Sequence, residues 1–248
     1  MNVFIVGING KMGGALIARA PYHGMTVTGG LDKDSSAPLP VFTRACEVNV
    51  PFDAIIDFSR PDSLQEVCAL ARKYTRPCVL ATTGYSAADE ETIARLAQIV
   101  PVFKSANFSL GVHVLSHLTQ KAAKVLEGFD IEIIERHHNQ KADAPSGTAT
   151  LLCRAAERGL SYTPAYVHGR HGNAPRKKGE IGVHAVRGGT EVGTHEVCFY
   201  GESEHVILTH TATSRTVFAD GALCAARFLC SKEAGLYGMD DLINAILD

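Results

Sequence analysis

Residues 132–148 read EIIERHHNQKADAPSGT. Two adjacent histidines, His137 and His138, are followed by Lys141 and then by the turn Pro145-Ser146-Gly147-Thr148. An imidazole exchanges a proton near neutral pH. An ammonium meets a carboxylate, or gives up a proton as negative charge develops. Ser146, Gly147 and Thr148 can turn successive backbone N–H groups, with the Thr148 hydroxyl, toward an anion as a helix starts. Glycine at the middle position removes the side chain that would block the approach. This set points to acid–base chemistry on a small anionic substrate. Ile131, Ile133 and Ile134 just ahead of it read as a buried strand, Asp130 to Glu135. The polar residues then emerge where a packed scaffold can hold them in open space.

A second set lies at the start of the chain. Gly7-Ile8-Asn9-Gly10-Lys11-Met12-Gly13 is a GxxGxxG run between the apolar strand Val3–Val6 and a helical pattern through Leu16, Ile17 and Ala20. Gly7 allows a tight turn, Gly10 a close approach of backbone to a pyrophosphate, and Gly13 close packing of helix on sheet. A second strand, Met25–Leu31, is closed by Asp32, which can accept hydrogen bonds from a ribose, and Lys33, which could meet a 2′-phosphate. Thr82-Thr83-Gly84 and Ser105-Ala106-Asn107-Phe108 each end a further predicted strand, where small hydroxyls and an amide suit a ribose or a nicotinamide. Ser59-Arg60-Pro61-Asp62 reads instead as a helix cap.

The elements that must position these groups come in two rhythms. Through residue 108 short apolar strands (3–6, 25–31, 54–58, 78–81, 102–103) alternate with helices (61–74 and 87–99) and a loop over 33–52. That alternation predicts a parallel sheet with helices on both faces. From 110 the order is a long helix to 126, the strand 130–135, a helix over 147–158 and a loop over 160–180. Three strand-like runs follow, 182–187, 191–200 and 206–212. Gly188-Gly189 and Gly201-Glu202-Ser203 separate them, so the three read as antiparallel neighbours. Helices over 216–231 and 240–247 close the chain. The expectation is an α/β protein. Residues 1–108 plus 215–248 form a Rossmann-like dinucleotide-binding domain, and an inserted α+β domain over 109–214 carries a mixed or antiparallel open sheet and the candidate substrate residues.

Composition narrows the class. Of 248 residues 46% are hydrophobic, enough for a core without metal or disulfides. The formal charge of −2 gives no basic face for nucleic acid. No apolar run approaches a membrane span. Seven scattered cysteines, without a CxxC, suit reduced thiols in the cytoplasm. No HExxH or third-ligand spacing accompanies His137 and His138, so no metal is expected. His168, His171, His184, His195, His205 and His210 read as surface or sheet-face residues. Arg176, Lys177 and Lys178 read as a solvated loop that could close over an anion.

With these residues in view, the segment 135–149 resembles the signature of the 4-hydroxy-tetrahydrodipicolinate reductase (dihydrodipicolinate reductase) family. The resemblance extends over the whole chain through Gly7–Gly13, Thr82–Gly84, Ala106–Ser109 and Ser214-Arg215. It implies His137 as general acid/base, Lys141 as its proton-donating partner, His138 as a substrate contact, and Gly147 and Thr148 as a carboxylate cradle. It implies cofactor contacts from Gly7, Ile8, Asn9, Gly10, Lys11, Met12, Asp32, Ala81, Thr82, Thr83, Ser105, Ala106, Asn107 and Phe108. The family often has glycine in place of Ala81 and glutamate in place of Asp32, and the shorter acid reaches less far. The implied activity is NADPH- or NADH-dependent reduction of a cyclic, unsaturated dicarboxylate on the diaminopimelate route to lysine. The implied assembly is a homotetramer joined through the sheets of the inserted domains. Two other readings stand beside it: a non-catalytic NAD(P)H-sensing regulator, which has no need of His137 and Lys141, and a different two-domain NAD(P)-dependent dehydrogenase.

Overall fold

A computed structural model describes residues 1–34 and 37–247; the part of the expected 33–52 loop at Ser35 and Ser36 lies outside the described residues. The chain divides into two compact units, Met1–Leu110 with Arg215–Asp248, and Gly111–Ser214.

The first unit is built on a seven-stranded sheet. Its strands are β1 (Asn2–Val6), β2 (Thr26–Leu31), β3 (Val41–Phe42), β4 (Ala54–Asp57), β5 (Cys78–Leu80), β6 (Pro101–Lys104) and β12 (Gly235–Tyr237). They lie in the order β12-β6-β5-β4-β1-β2-β3, and every neighbouring pair is parallel. Parallel strands covered on both faces are apolar at nearly every position, and Val3 to Val6, Ala54 to Ile56 and Cys78 to Leu80 are all fully buried. Helices α1 (Lys11–Arg19) and α6 (Thr216–Leu229) pack with Val3, Ile5 and Ile56 on one face. On the other face α2 (Leu64–Tyr74) and α3 (Ala87–Ala97) pack with Phe4, Val6 and Ile55. From β1 the chain winds outward through β2 and β3, then restarts beside β1 at β4 and winds the other way. That reversal opens a crevice at the carboxyl ends of β1 and β4. The short strands β3 and β12 and the turn Pro61–Ser63 ahead of α2 depart from the sequence expectation. Strands of two or three residues are too short to show a period.

The second unit has a five-stranded mixed sheet with two helices on one face. Its strands are β7 (Asp130–His137), β8 (Ala165–His168), β9 (Glu180–Arg187), β10 (Gly193–Tyr200) and β11 (His205–Ala212), in the order β11-β10-β7-β9-β8. Helices α4 (Leu110–Val125) and α5 (Gly147–Gly159) supply Leu115, Ala123, Ala149, Leu152 and Ala156 to a core with Ile131, Ile133, Val183, Val197 and Phe199.

Three expectations are corrected here. β7 runs two residues further than Glu135, so His137 is the last residue of the strand rather than a loop residue. β8 lies inside the expected 160–180 loop. Most consequentially, β9 is not a hairpin partner of β10: β9 pairs in parallel with β7, while β10 pairs antiparallel with β7 on its other side and with β11. Residues 188–192 therefore pass across the end of β7. There the Gly188 N–H donates to His137 O (2.9 Å), the His138 N–H to Glu191 O (2.7 Å) and the Asn139 N–H to Gly189 O (3.2 Å). A glycine pair signals a turn but not its span, and this turn's bonds go to a third strand.

Candidate active site

Successive residues of a strand point to opposite faces. Along β7, Ile131, Ile133, Glu135 and His137 all point to the buried face. The first two meet apolar neighbours; the last two form a polar end to the same row. The parallel register sets Arg187 of β9 beside His137, and the antiparallel register sets His195 of β10 beside Glu135. The central position of β7 thus brings residues far apart in sequence to one spot.

Glu135, with no solvent exposure, is the hub. Its Oε2 accepts from His137 Nδ1 at 2.5 Å and from Arg187 Nη1 at 2.7 Å; its Oε1 accepts from Arg187 Nη2 at 2.8 Å and from the Ser146 N–H at 3.0 Å. Burial alone would raise this carboxyl, but the Arg187 and His137 hydrogen bonds and the Ser146 N–H together hold it below the usual range. An ionised carboxylate only accepts, so Nδ1 of His137 carries the hydrogen and Nε2 is its remaining exchangeable end. A Cβ added at Gly193 would lie 3.0 Å from that Nε2, so the glycine keeps the space beside it. His195, 4% exposed, stands with its ring edge-on to His137, centroids 5.0 Å apart. Burial, helped by His137, pushes its imidazole down to about 4, so it is neutral at pH 7. Its Nε2 meets Ser146 Oγ at 3.1 Å. His195 therefore lies on the sheet face as expected, but buried beside His137 rather than at the surface.

Ser146 caps α5, its Oγ accepting from the Ala149 N–H at 3.1 Å. Its own N–H is committed to Glu135, which removes it from the expected anion cradle. Gly147 begins the helix exposed, and an added Cβ there would meet nothing within 4 Å. Thr148 follows, half-buried. Lys141 sits in the turn after β7 with Nζ 2.8 Å from Asp143 Oδ1, a bond that holds the Asp143 carboxyl below its usual range. His138 is half-buried. Arg176, expected in a solvated loop, is instead tied to Asp130, Glu132 and the carbonyls of Ile131 and Glu180, which makes it a brace for β7 and β9.

In the first unit the carboxyl ends of β1, β2 and β4 surround a cleft of about 500 Å³ lined by Gly7, Asn9, Gly10, Asp32, Lys33 and Arg60, among others. Gly7 has φ +84°, and a Cβ added at Gly13 would lie 2.2 Å from Ile8 O. Gly10 precedes α1 with no side-chain cap, leaving the helix N–H groups to an incoming anion. Asp32 Oδ2 accepts from the Asn9 N–H (2.9 Å) and Oδ1 from the Lys33 N–H (2.8 Å), which fixes the carboxylate at the cleft. The residues present fit a dinucleotide: uncapped N–H groups for a pyrophosphate and a fixed carboxylate for a ribose. Ile8 and Phe108 are buried in the core, so each can offer only backbone to a ligand. Lys11, Thr83 and Ala106 are exposed, Met12 and Ala81 half-buried, and Thr82 buried. The Ser105 hydroxyl donates to Asn107 O (2.6 Å) and accepts from its N–H (3.2 Å), while Asn107 Oδ1 accepts from the Ser109 N–H (2.8 Å). Asp57 was not anticipated from the sequence. Fully buried at the end of β4, it is raised by burial against hydrogen bonds from Ser59 and from Tyr85 OH (3.2 Å). The Ser59 loop, expected to be only a cap, lines the cleft.

A sequence profile for "Dihydrodipicolinate reductase, N-terminus" matches residues 1–108, and one for the C-terminus of the same family matches residues 111–243. The chain belongs to the dihydrodipicolinate reductase family. Among its relatives, the 4-hydroxy-tetrahydrodipicolinate reductase of Clostridium novyi (strain NT) is 44% identical over 98% of both chains. The 4-hydroxy-tetrahydrodipicolinate reductase of Caldanaerobacter subterraneus subsp. tengcongensis is 45% identical, again over 98% of each. A dipicolinate-bound dihydrodipicolinate reductase from Paenisporosarcina sp. TG-14 shares the fold with a TM-score of 0.80 at 24% identity, covering 97% of this chain and 98% of that one. A dihydrodipicolinate reductase fold thus joins a Rossmann-like sheet to a second, mixed sheet. Among the described residues there is no cluster of metal-ligating side chains, and no helix is long and apolar enough to cross a membrane.

Proposed function

We propose that this chain reduces 4-hydroxy-tetrahydrodipicolinate to tetrahydrodipicolinate with NADPH or NADH, on the diaminopimelate route of lysine biosynthesis. In balance, substrate, NAD(P)H and one proton give product, NAD(P)+ and water. The observation that carries this is a family member's chain with a buried carboxylate–imidazole pair beside an open helix start. The cofactor, bound through Gly7–Met12, Asp32 with Lys33, Ala81–Thr83 and Ser105–Phe108, supplies the hydride. The chain's own residues do the rest. Gly147 and Thr148 at the start of α5 hold one substrate carboxylate, with His138 and Lys141 beside it. Holding that carboxylate restricts the ring, which lowers the entropic part of the barrier. His137 gives its proton through Nε2 to the ring carbon next to the one reduced, a contribution typically worth ~10²–10⁴ in rate. Lys141 leaves Asp143 for the substrate and steadies the charge that develops.

A thiol-dependent aldehyde dehydrogenase is disfavoured, because burial pushes Cys68, Cys153, Cys198 and Cys224 away from the thiolate and no cysteine among the described residues lines the cleft. Assembly as a homotetramer is part of the proposal. The sheet face of the second unit opposite its helices exposes Val186, Tyr200 and Ile207, and sedimentation would give the assembly's mass.

The test is oxidation of NADH and of NADPH, followed by nicotinamide absorbance, with freshly formed heterocyclic substrate. Turnover with either cofactor, lost in His137→Gln with cofactor affinity kept, supports the assignment. Cofactor binding without turnover would turn the reading toward a sensor.

A further inference from the structure

The signature residues account for the proton donor and the cradle but not for what holds them. His137 and the α5 start come from different elements, and each could move without the other. Both touch His195, and both end on Glu135, His137 through Nδ1 at 2.5 Å and Ser146 through its N–H at 3.0 Å. Glu135 is itself gripped at both oxygens by Arg187 (2.7 and 2.8 Å). Arg187 also donates to the Asp143 carbonyl at 2.5 Å, reaching the turn that carries Lys141. We propose that Glu135 and Arg187 are positioning residues, and that this ion pair, its carboxylate fully buried and its guanidinium half-buried, sets the proton donor, the carboxylate cradle and the Lys141 turn in one fixed relation.

The geometry assigns each member a separate part. A bidentate guanidinium fixes the plane of a carboxylate more tightly than a point charge can. The fixed Oε2 then orients the imidazole, holding hydrogen on Nδ1 and leaving Nε2 for the substrate. The fixed Oε1 anchors the first N–H before α5, which aims the Gly147 and Thr148 positions. Charge is divided as well. Glu135 and Arg187 set opposite charges beside His137, so the substitutions that remove one charge each are compared across pH. Neutral His195 also faces His137, and neither substitution removes it.

This rests on His137 as the acid, so His137→Gln is run alongside. The variants are Glu135→Gln, Arg187→Met and Arg187→Lys, each assayed for kcat and KM across pH. In Glu135→Gln, kcat falls about 10²-fold at neutral pH, and the alkaline limb moves to lower pH. In Arg187→Met the limb moves to higher pH, while Arg187→Lys restores the limb but not the full rate. Imidazole ¹⁵N shifts in the wild-type protein show hydrogen on Nδ1 of His137, and in Glu135→Gln the hydrogen moves to Nε2. A purely structural role would lower activity and Tm without opposite limb shifts or a change of tautomer, and that result overturns the inference. If Glu135→Gln does not fold, an unmoved limb in Arg187→Met, or wild-type hydrogen on Nε2 alone, overturns it equally. Near-normal turnover in His137→Gln would instead remove the acid assignment itself.

Discussion

Gly193→Ala tests the space beside His137 Nε2, the proposed proton donor, without touching any charged group. The added methyl would stand 3.0 Å from His137 Nε2 and 3.2 Å from its Cδ2, where ordinary carbon contacts begin at ~3.5 Å. The ring must give way by about half an ångström. It cannot do so by sliding along its own axis, because Nδ1 is already 2.5 Å from Glu135 Oε2. It must therefore tilt, swinging Nε2 away from its line to the substrate. A misplacement of ~1 Å can cost ~10²-fold in rate, so half of that corresponds to a loss of about tenfold in kcat. Stability should hardly change. Alanine leaves the unfolded chain less conformational freedom than glycine, a gain of roughly 0.4–1 kcal/mol where the backbone suits it, which offsets the crowding. Steady-state kcat at saturating substrate, with thermal unfolding on the same preparation, measures both. Unchanged kcat would refute the placement of Nε2 toward the substrate. A kcat loss matched by a collapse in Tm would show that the glycine serves folding alone.

Lys141→Ala should lose both rate and affinity for a dicarboxylate analogue, read by calorimetric titration; unaltered affinity would remove Lys141 from the anion site. Acid should destabilise the second unit through His195. The unfolded chain takes up this proton as pH falls through ~6.5, the native one only near 4, so stability present at pH 7 is lost between those values, by an upper limit of about 3 kcal/mol. Denaturant unfolding at pH 7 and pH 5 should show that loss in the wild type and a smaller one in His195→Asn; equal losses would refute the burial argument. Asp32→Ser should weaken NADH binding more than NADPH binding, because the carboxylate that accepts ribose hydroxyls also repels a 2′-phosphate. Cofactor fluorescence titration decides, and equal losses would place the ribose elsewhere.

The first sheet was legible because glycine, proline and acidic punctuation fell at each strand end and its strands are continuous apolar runs. His137 and Lys141, the residues proposed to react, stand in one short segment and needed no tertiary knowledge. Their supports did not show in the same way. Arg187 and His195 belong to other strands, and only the pairing of β7 with both β9 and β10 brings them together. The Gly188-Gly189 step suggested the wrong pairing, since a local turn signal carries no information about which strand its flanks will join. Glu135 did leave a trace: a charged residue in the inward row of Ile131 and Ile133 must find a buried partner. Asp57 left the same trace at the end of the apolar run Ala54–Ile56.

One further consequence lies in the row along β7. Because the pleat repeats every two residues, inserting or deleting a single residue between 131 and 137 would reverse every side chain beyond the change. The imidazole would then emerge on the opposite side, where Arg136 now pairs with Glu196, and a cationic side chain would be driven into the core. Length variation in this strand is thus closed to the chain except in steps of two.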